Sequence, residues 1–137
     1  MQFVPKVSDY YKSFDGTPIY YETRGEGEPL IFIYGIACLI NHWHHQIDYF
    51  SKHYKTIVFD LRGHHKSSQI SSEQNLTIDA LAEDLLGLMT HLNIKQAHLF
   101  GHSFGAPIML QAYQKNPELF KTLTFINGFS KNPVKGM

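Results

Sequence analysis

Gly101-His102-Ser103-Phe104-Gly105 is the stretch of this sequence best suited to covalent chemistry. It follows the apolar run Ala97-His98-Leu99-Phe100 and precedes a segment of helical character. That is the setting of a sharp strand-to-helix turn which presents a serine hydroxyl as a nucleophile. Such a turn strains the serine backbone, and side chains two residues to either side collide, so both positions require glycine. Gly101 and Gly105 meet that requirement. The chemistry implied is attack of Ser103 on a carbonyl carbon to give an acyl intermediate, which water then releases.

A serine nucleophile needs a base to take its proton and a carboxylate to orient that base, and with an elbow of this kind both follow the serine in the chain. After Phe104 there is no histidine, and the one carboxylate is Glu118, beside Pro117 at the expected end of the next helix. No triad acid and no triad histidine are identified. His102 adjoins the nucleophile, but neighbouring side chains around such a turn point in different directions, so it is not expected to reach the serine oxygen. His42, His44, His45, His64 and His65 raise the question of a metal, histidine being the commonest metal ligand at neutral pH. The first three fall on an expected amphipathic helix, and no carboxylate-plus-histidine spacing accompanies them. Neither a metal nor a cofactor is expected. Cys38 is read as a small core residue in preference to a reactive thiol. Trp43 is read as packing, and Arg62 as a brace for its loop through hydrogen bonds.

The elements that must position Ser103 are marked by regular punctuation. Tyr10 to Phe14 and Ile19 to Thr23 flank Asp15-Gly16, a dipeptide that tolerates positive φ, and predict a hairpin. Leu30 to Tyr34 and Thr56 to Phe59 are continuous apolar runs, suited to strands buried on both faces of a parallel sheet. Between them, His42 to Tyr54 is expected to be helical. From Thr77 the residues Ile78, Leu81, Leu85, Leu88 and Leu92 recur at steps of three and four, the stripe of an amphipathic helix. Thr77 can cap it, and Asp79 in its first turn suits the helix dipole. Ala97 to Phe100 predicts a strand, Phe104 to Asn116 a helix and Leu123 to Ile126 another strand. The alternation predicts an α/β fold: a mostly parallel sheet of about six strands, an N-terminal antiparallel hairpin and helices on both faces. Ser103 is expected at the C-terminal end of a central strand.

The 137 residues fit one small domain or part of a larger one, with 43% hydrophobic residues, ten Phe and eight Tyr for a core. Twelve basic and twelve acidic side chains cancel, which removes the electrostatic case for nucleic acid or an anionic membrane and leaves small neutral substrates. Cys38 is the only cysteine, so no intrachain disulfide forms. The N-terminus has no apolar signal region, and no apolar run has the length of a membrane helix. A cytoplasmic location is the expectation.

Three motifs, in this order and spacing, resemble those of the α/β-hydrolase superfamily, especially its esterase, lactonase and haloperoxidase-like members. They are Tyr34-Gly35-Ile36, where such proteins usually have His-Gly-x; Asp60-Leu61-Arg62-Gly63-His64-His65-Lys66-Ser67, where D-x-R-G-x-G-x-S is typical; and the serine elbow. The resemblance implies that Ser103 is the nucleophile. It also implies that the backbone N–H groups of Phe104 and Ile36 form the oxyanion hole, the donors that meet negative charge as it develops. Tyr34 replaces the usual histidine, and His65 stands where the loop commonly has glycine. If that position needs positive φ, the cost is about 1–2 kcal/mol.

The resemblance implies a domain over residues 1–137 that lacks the later part of the family fold, namely lid, triad acid and triad histidine. Two functional classes follow. One is a serine hydrolase of ester-like bonds, incomplete or inactive as this chain alone. The other is a non-catalytic fragment of a split or truncated hydrolase gene, with a binding role or none. The strand at Leu123 to Ile126 is then expected to be an open edge, and Ile31, Ile33 and Val58 to be poorly shielded. Self-association or pairing with a C-terminal complementing fragment is the partner expectation.

Overall fold

Six segments rich in β-branched and aromatic residues pair into one sheet in the computed structural model, which describes residues 4–35, 38–70 and 72–128. They are β1 (Lys6–Lys12), β2 (Pro18–Arg24), β3 (Pro29–Ile33), β4 (Lys55–Phe59), β5 (Ala97–His102) and β6 (Phe120–Ile126). The helices are α1 (His44–Phe50), α2 (Ile78–His91) and α3 (Gly105–Lys115), with short 3₁₀ turns between elements. The strand order is β1-β2-β4-β3-β5-β6. β1 and β2 pair antiparallel, β2 joins β4 antiparallel, and every pairing from β4 to β6 is parallel.

This order places a topological switch point at β3. The chain leaves β3 toward β4 on one side, then crosses back to β5 on the other, so the C-terminal ends of β3 and β5 open a crevice between them. Tyr34-Gly35 leaves the first strand and Ser103 the second.

The two sheet faces are covered by different helices. Phe32 and Phe100, register partners, stack at 5.0 Å and lie under Trp43 and Phe50 on the α1 side. Ile33 and Gly101, also register partners, face α3, where they approach Gly105 and Met109. α2 packs beside α3. Its stripe buries Leu81, Leu85 and Leu88, and Thr77 Oγ1 caps it by accepting the Ala80 N–H at 3.1 Å. Asp79 in its first turn is paired with Lys115 of α3 at 2.7 Å.

Two expectations are corrected. The segment expected as one helix from His42 to Tyr54 is a 3₁₀ turn over Ile40–Trp43 followed by α1, which stops at Phe50; the Ser51 and Tyr54 N–H groups close the end on the carbonyls of Ile47 and Phe50. Ile31, Ile33 and Val58, expected to be poorly shielded, are 0%, 0% and 3% exposed. They lie in the middle of the sheet, where α3 and α1 already cover both faces. Exposure falls on β6 instead, where Phe125 and Ile126 are open.

Candidate active site

Ser103 lies between the last residue of β5 and the start of α3, with φ +54°. Four described non-glycine residues have positive φ, and three of them, Asn93, Asn127 and His65, are of types that tolerate it. The fourth is Ser103. Ser103 donates its backbone N–H to the Ile126 carbonyl at 3.0 Å, and its own carbonyl accepts the Ala106 N–H at 3.0 Å. The turn is therefore fixed by the end of β6 on one side and by the first turn of α3 on the other.

The glycine requirement is steric. A Cβ on Gly105 would stand 2.8 Å from the Ile33 carbonyl oxygen, and one on Gly101 would meet Met109 Cε at 2.5 Å and the Gly105 carbonyl carbon at 3.1 Å. Gly35 is the next tightest: its Cβ would lie 3.1 Å from Ser103 Cβ. The backbone leaving β3 thus rests against the nucleophile candidate, and a side chain at Gly35 would make Ser103 give way by a few tenths of an ångström.

Of the two backbone donors implied for the oxyanion hole, Phe104 is the N-cap residue of α3, where helix N–H groups point toward an incoming negative charge. Ile36 lies outside the described residues.

The loop after β4 supports this arrangement. The buried Tyr34 hydroxyl donates to Asp60 Oδ1 at 3.0 Å and accepts the Leu61 N–H at 2.9 Å, while Asp60 Oδ2 accepts the Lys66 N–H at 3.2 Å. Burial, reinforced by the Asp60 charge, pushes the Tyr34 pKa far up, so the hydroxyl stays a donor. Burial also raises Asp60 above the ordinary carboxylate value, opposed by the Lys66 N–H and the Tyr34 hydroxyl. Tyr34, at the position where the family usually has histidine, thus ties β3 to the loop after β4. Gly63 in that loop has φ +78°. His65 has φ +44° and donates from Nε2 to the Cys38 carbonyl at 2.8 Å.

Arg62 is a brace, as its sequence setting predicts, and it is fully buried. Its Nε and Nη2 donate to the two oxygens of Asp84 at 2.7 Å each, and Nη1 donates to Asp15 Oδ2 at 2.8 Å. Ser13 Oγ donates to Asp84, Asn75 Nδ2 donates to Asp15, and the Phe14 ring covers the guanidinium. Burial opposes the Arg62 charge, but the hydrogen bonds it donates to both carboxylates outweigh that and raise its pKa further. The hairpin turn, α2 and the loop after β4 meet on this one cation. The sequence reading missed Asp84 and Asp15 as its partners. The available signal was Asp84 itself, a carboxylate on the apolar stripe between Leu81 and Leu85, which requires a buried partner.

A cavity of about 240 Å³ beside the elbow is lined by Tyr34, His42, Trp43, Gln46, His102 and Ile126. The His102 ring meets Trp43 edge-on at 6.5 Å, and no hydrogen bond joins it to Ser103 among the described residues. Trp43 packs on Phe32, and Cys38 is half-buried against the core. His44 Nδ1 is bonded to the Asn41 carbonyl, and no group of three or more His, Cys, Asp or Glu that could hold a metal is found among the described residues. No described helix is long and apolar enough to cross a membrane.

Comparison with known proteins agrees with this fold. The family profile of the alpha/beta hydrolase fold matches residues 28–135. The chain is 34% identical over 112 residues to (E)-2-((N-methylformamido)methylene)succinate hydrolase of Acinetobacter baylyi, covering 82% of this chain and 42% of that protein. It is 31% identical over 118 residues to a strigolactone esterase of Pisum sativum, covering 81% and 44%. The crystal structure of a Bacillus megaterium epoxide hydrolase with an inhibitor superposes with a TM-score of 0.83 at 31% identity, covering 89% of this chain and 43% of that one. The chain thus spans less than half the length of each of these relatives. A profile match over most of the sequence, on a sheet of matching topology, makes this chain a member of the alpha/beta hydrolase fold family.

Proposed function

We propose that Ser103 is the nucleophile of a hydrolase acting on ester-like bonds of small neutral substrates. The observation that carries this reading is the φ of +54° at Ser103. That conformation costs a residue with a side chain about 1–2 kcal/mol, and strain of this kind concentrates at functional sites. The esterase and hydrolase relatives support the same reaction class.

In this reading Ser103 Oγ attacks the substrate carbonyl carbon as its proton passes to a base. The N–H groups of Phe104 and Ile36 receive the oxyanion. Collapse of the tetrahedral species expels the alcohol, and water then releases the acyl group. Base and orienting acid are supplied from outside residues 1–137: no histidine follows Phe104 in the sequence, and no described histidine bonds to Ser103. The segment that supplies them pairs along β6, the outer strand of the sheet. The lone Cys38 and the absence of an intrachain disulfide favour a cytoplasmic setting.

The absence of a histidine bonded to the Ser103 side chain among the described residues favours a second reading for the chain by itself, in which residues 1–137 bind ligands in the cavity beside His102 without turning them over. One experiment separates the two. In a chimera where this chain replaces the matching segment of the Acinetobacter baylyi relative, p-nitrophenyl ester hydrolysis is expected and is abolished by Ser103→Ala. A chimera that unfolds cooperatively yet shows no Ser103-dependent hydrolysis leaves the binding reading.

A further inference from the structure

We propose that the cavity beside Ser103 is a subsite for a neutral, oxygen-bearing group of the substrate, with His42 and Gln46 as the residues that select it. The inference rests on the reading of Ser103 as nucleophile and names the class of ester that reaches it. That class carries a second acceptor oxygen, as a carbonyl or an ether, beyond the bond to be cleaved.

The cavity adjoins the elbow at two of its walls. His102 directly precedes Ser103, and the carbonyl of Ile126 accepts the Ser103 N–H at 3.0 Å. No carboxylate, lysine or arginine lines it among the described residues, so nothing there matches a charged group. An apolar cavity of about 150 Å³ holds a benzene ring, so a volume of about 240 Å³ admits one ring or a short chain.

The polar groups of the lining divide into those already paired and those that are not. Tyr34 is committed, since its hydroxyl donates to Asp60 and accepts the Leu61 N–H. His42 Nδ1 accepts the Leu39 N–H at 3.3 Å, so the neutral ring carries its proton on Nε2, which has no partner among the described residues. Gln46 follows four residues later, across the junction of the 3₁₀ turn and α1, a spacing that brings side chains together on one helical face. Its amide is also without a partner among the described residues. Trp43 lies between them in sequence, is 5% exposed, and its Nε1–H has no partner either. Unpaired buried donors are rare in native structures and call for a functional reason. Within five residues this wall therefore offers three uncommitted N–H-bearing side chains, and the complement of such a wall is an acceptor oxygen.

Trp43 is the only tryptophan of the chain, so 5-fluorotryptophan places a single ¹⁹F reporter in the cavity wall. The test titrates the 137-residue Ser103→Ala chain with methyl 3-methoxypropanoate and with methyl pentanoate, in which a methylene replaces the ether oxygen. The ether-bearing ester is expected to bind at least as tightly as its carbon analogue, although water holds it more strongly. In His42→Phe combined with Gln46→Met, the ratio of the two dissociation constants is expected to move about tenfold toward methyl pentanoate. Gln46→Met alone, at an exposed helix position, is expected to move it about threefold, and it keeps the question answerable should the double variant unfold. Tighter binding of methyl pentanoate by the Ser103→Ala chain overturns the proposal. So does a ratio that stays within about twofold in a double variant that unfolds cooperatively, or a ¹⁹F signal that neither ester saturates. Ser103→Ala removes turnover from every arm, so failure of the nucleophile assignment would appear separately, in the ester hydrolysis of the chimera.

Discussion

The Tyr34 hydroxyl stands 3.0 Å from Asp60 Oδ1 and donates to it, joining the end of the central strand β3 to the loop that follows β4. Both groups are buried, and burial raises the Asp60 pKa above its ordinary value of 3.8. A carboxyl whose folded-state pKa is raised binds its proton more tightly in the folded chain. Its contribution to stability is therefore complete below the ordinary value and is lost as the pH rises through the folded-state value. The stability of the parent relative to Asp60→Asn is expected to be greatest near pH 3.8 and below, and to decline as the pH rises above it. Urea midpoints of both proteins across that range check the sign.

Substitution of the elbow glycines is expected to be graded. At Gly105 an added methyl meets the Ile33 backbone carbonyl at 2.8 Å, and a strand in the middle of a sheet cannot retreat. At Gly101 the nearest atom is the end of the flexible Met109 side chain. Gly105→Ala is expected to cost more than Gly101→Ala, with overpacking penalties of about 1–3 kcal/mol or above. Met109→Leu is expected to recover part of the loss in Gly101→Ala and none in Gly105→Ala. Chemical denaturation of the four variants measures the order.

Removal of the buried cation is expected to be among the most damaging single changes. Arg62→Leu leaves the carboxylates of Asp84 and Asp15 without their guanidinium, a loss of about 3–5 kcal/mol. Arg62→Leu combined with Asp84→Leu is expected to cost less than the sum of the two single changes, because the second removes the charge that the first strands. A double-mutant cycle by urea unfolding gives the coupling.

Residues 1–137 in isolation are expected to self-associate through β6. The strand is the outer one of the sheet, its only charge is Lys121, already paired with Glu28, and Phe125 and Ile126 are 46% and 37% exposed. Light scattering over a concentration series is expected to show growth in mean mass, and Phe125→Pro is expected to suppress it: the adjacent Ile126 carbonyl points to the Ser103 N–H, so the Phe125 N–H faces the open edge, and proline removes that donor. A concentration-independent monomer contradicts the expectation.

Much of this arrangement is legible from residue types because the constraints are local. The glycine pair around Ser103, the stripe from Ile78 to Leu92 and the apolar runs of β3 and β4 each specify their element without reference to the rest of the chain. The strand ends and the termination of α1 are less legible, since Ser51 and Tyr54 close that helix through backbone bonds that leave no mark in composition. The contacts that bind the site together are long-range. Nothing near His65 announces the Cys38 carbonyl, and nothing near Arg62 announces a hairpin turn 47 residues earlier. A non-glycine residue at a position where related loops carry glycine marks strain, but the partner that uses it emerges only from the folded chain.

The assignment of Ser103 as a covalent nucleophile is tested most directly by the site of phosphonylation. In the chimera with the Acinetobacter baylyi relative, a fluorophosphonate is attacked by the serine oxygen, which forms a P–O bond as fluoride leaves and the serine proton passes to the base. Tryptic mass spectrometry is expected to place the added mass on the peptide containing Ser103, with none in Ser103→Ala. Label on another serine, or an unlabelled Ser103 in a chimera that is folded and hydrolyses esters, would contradict the assignment.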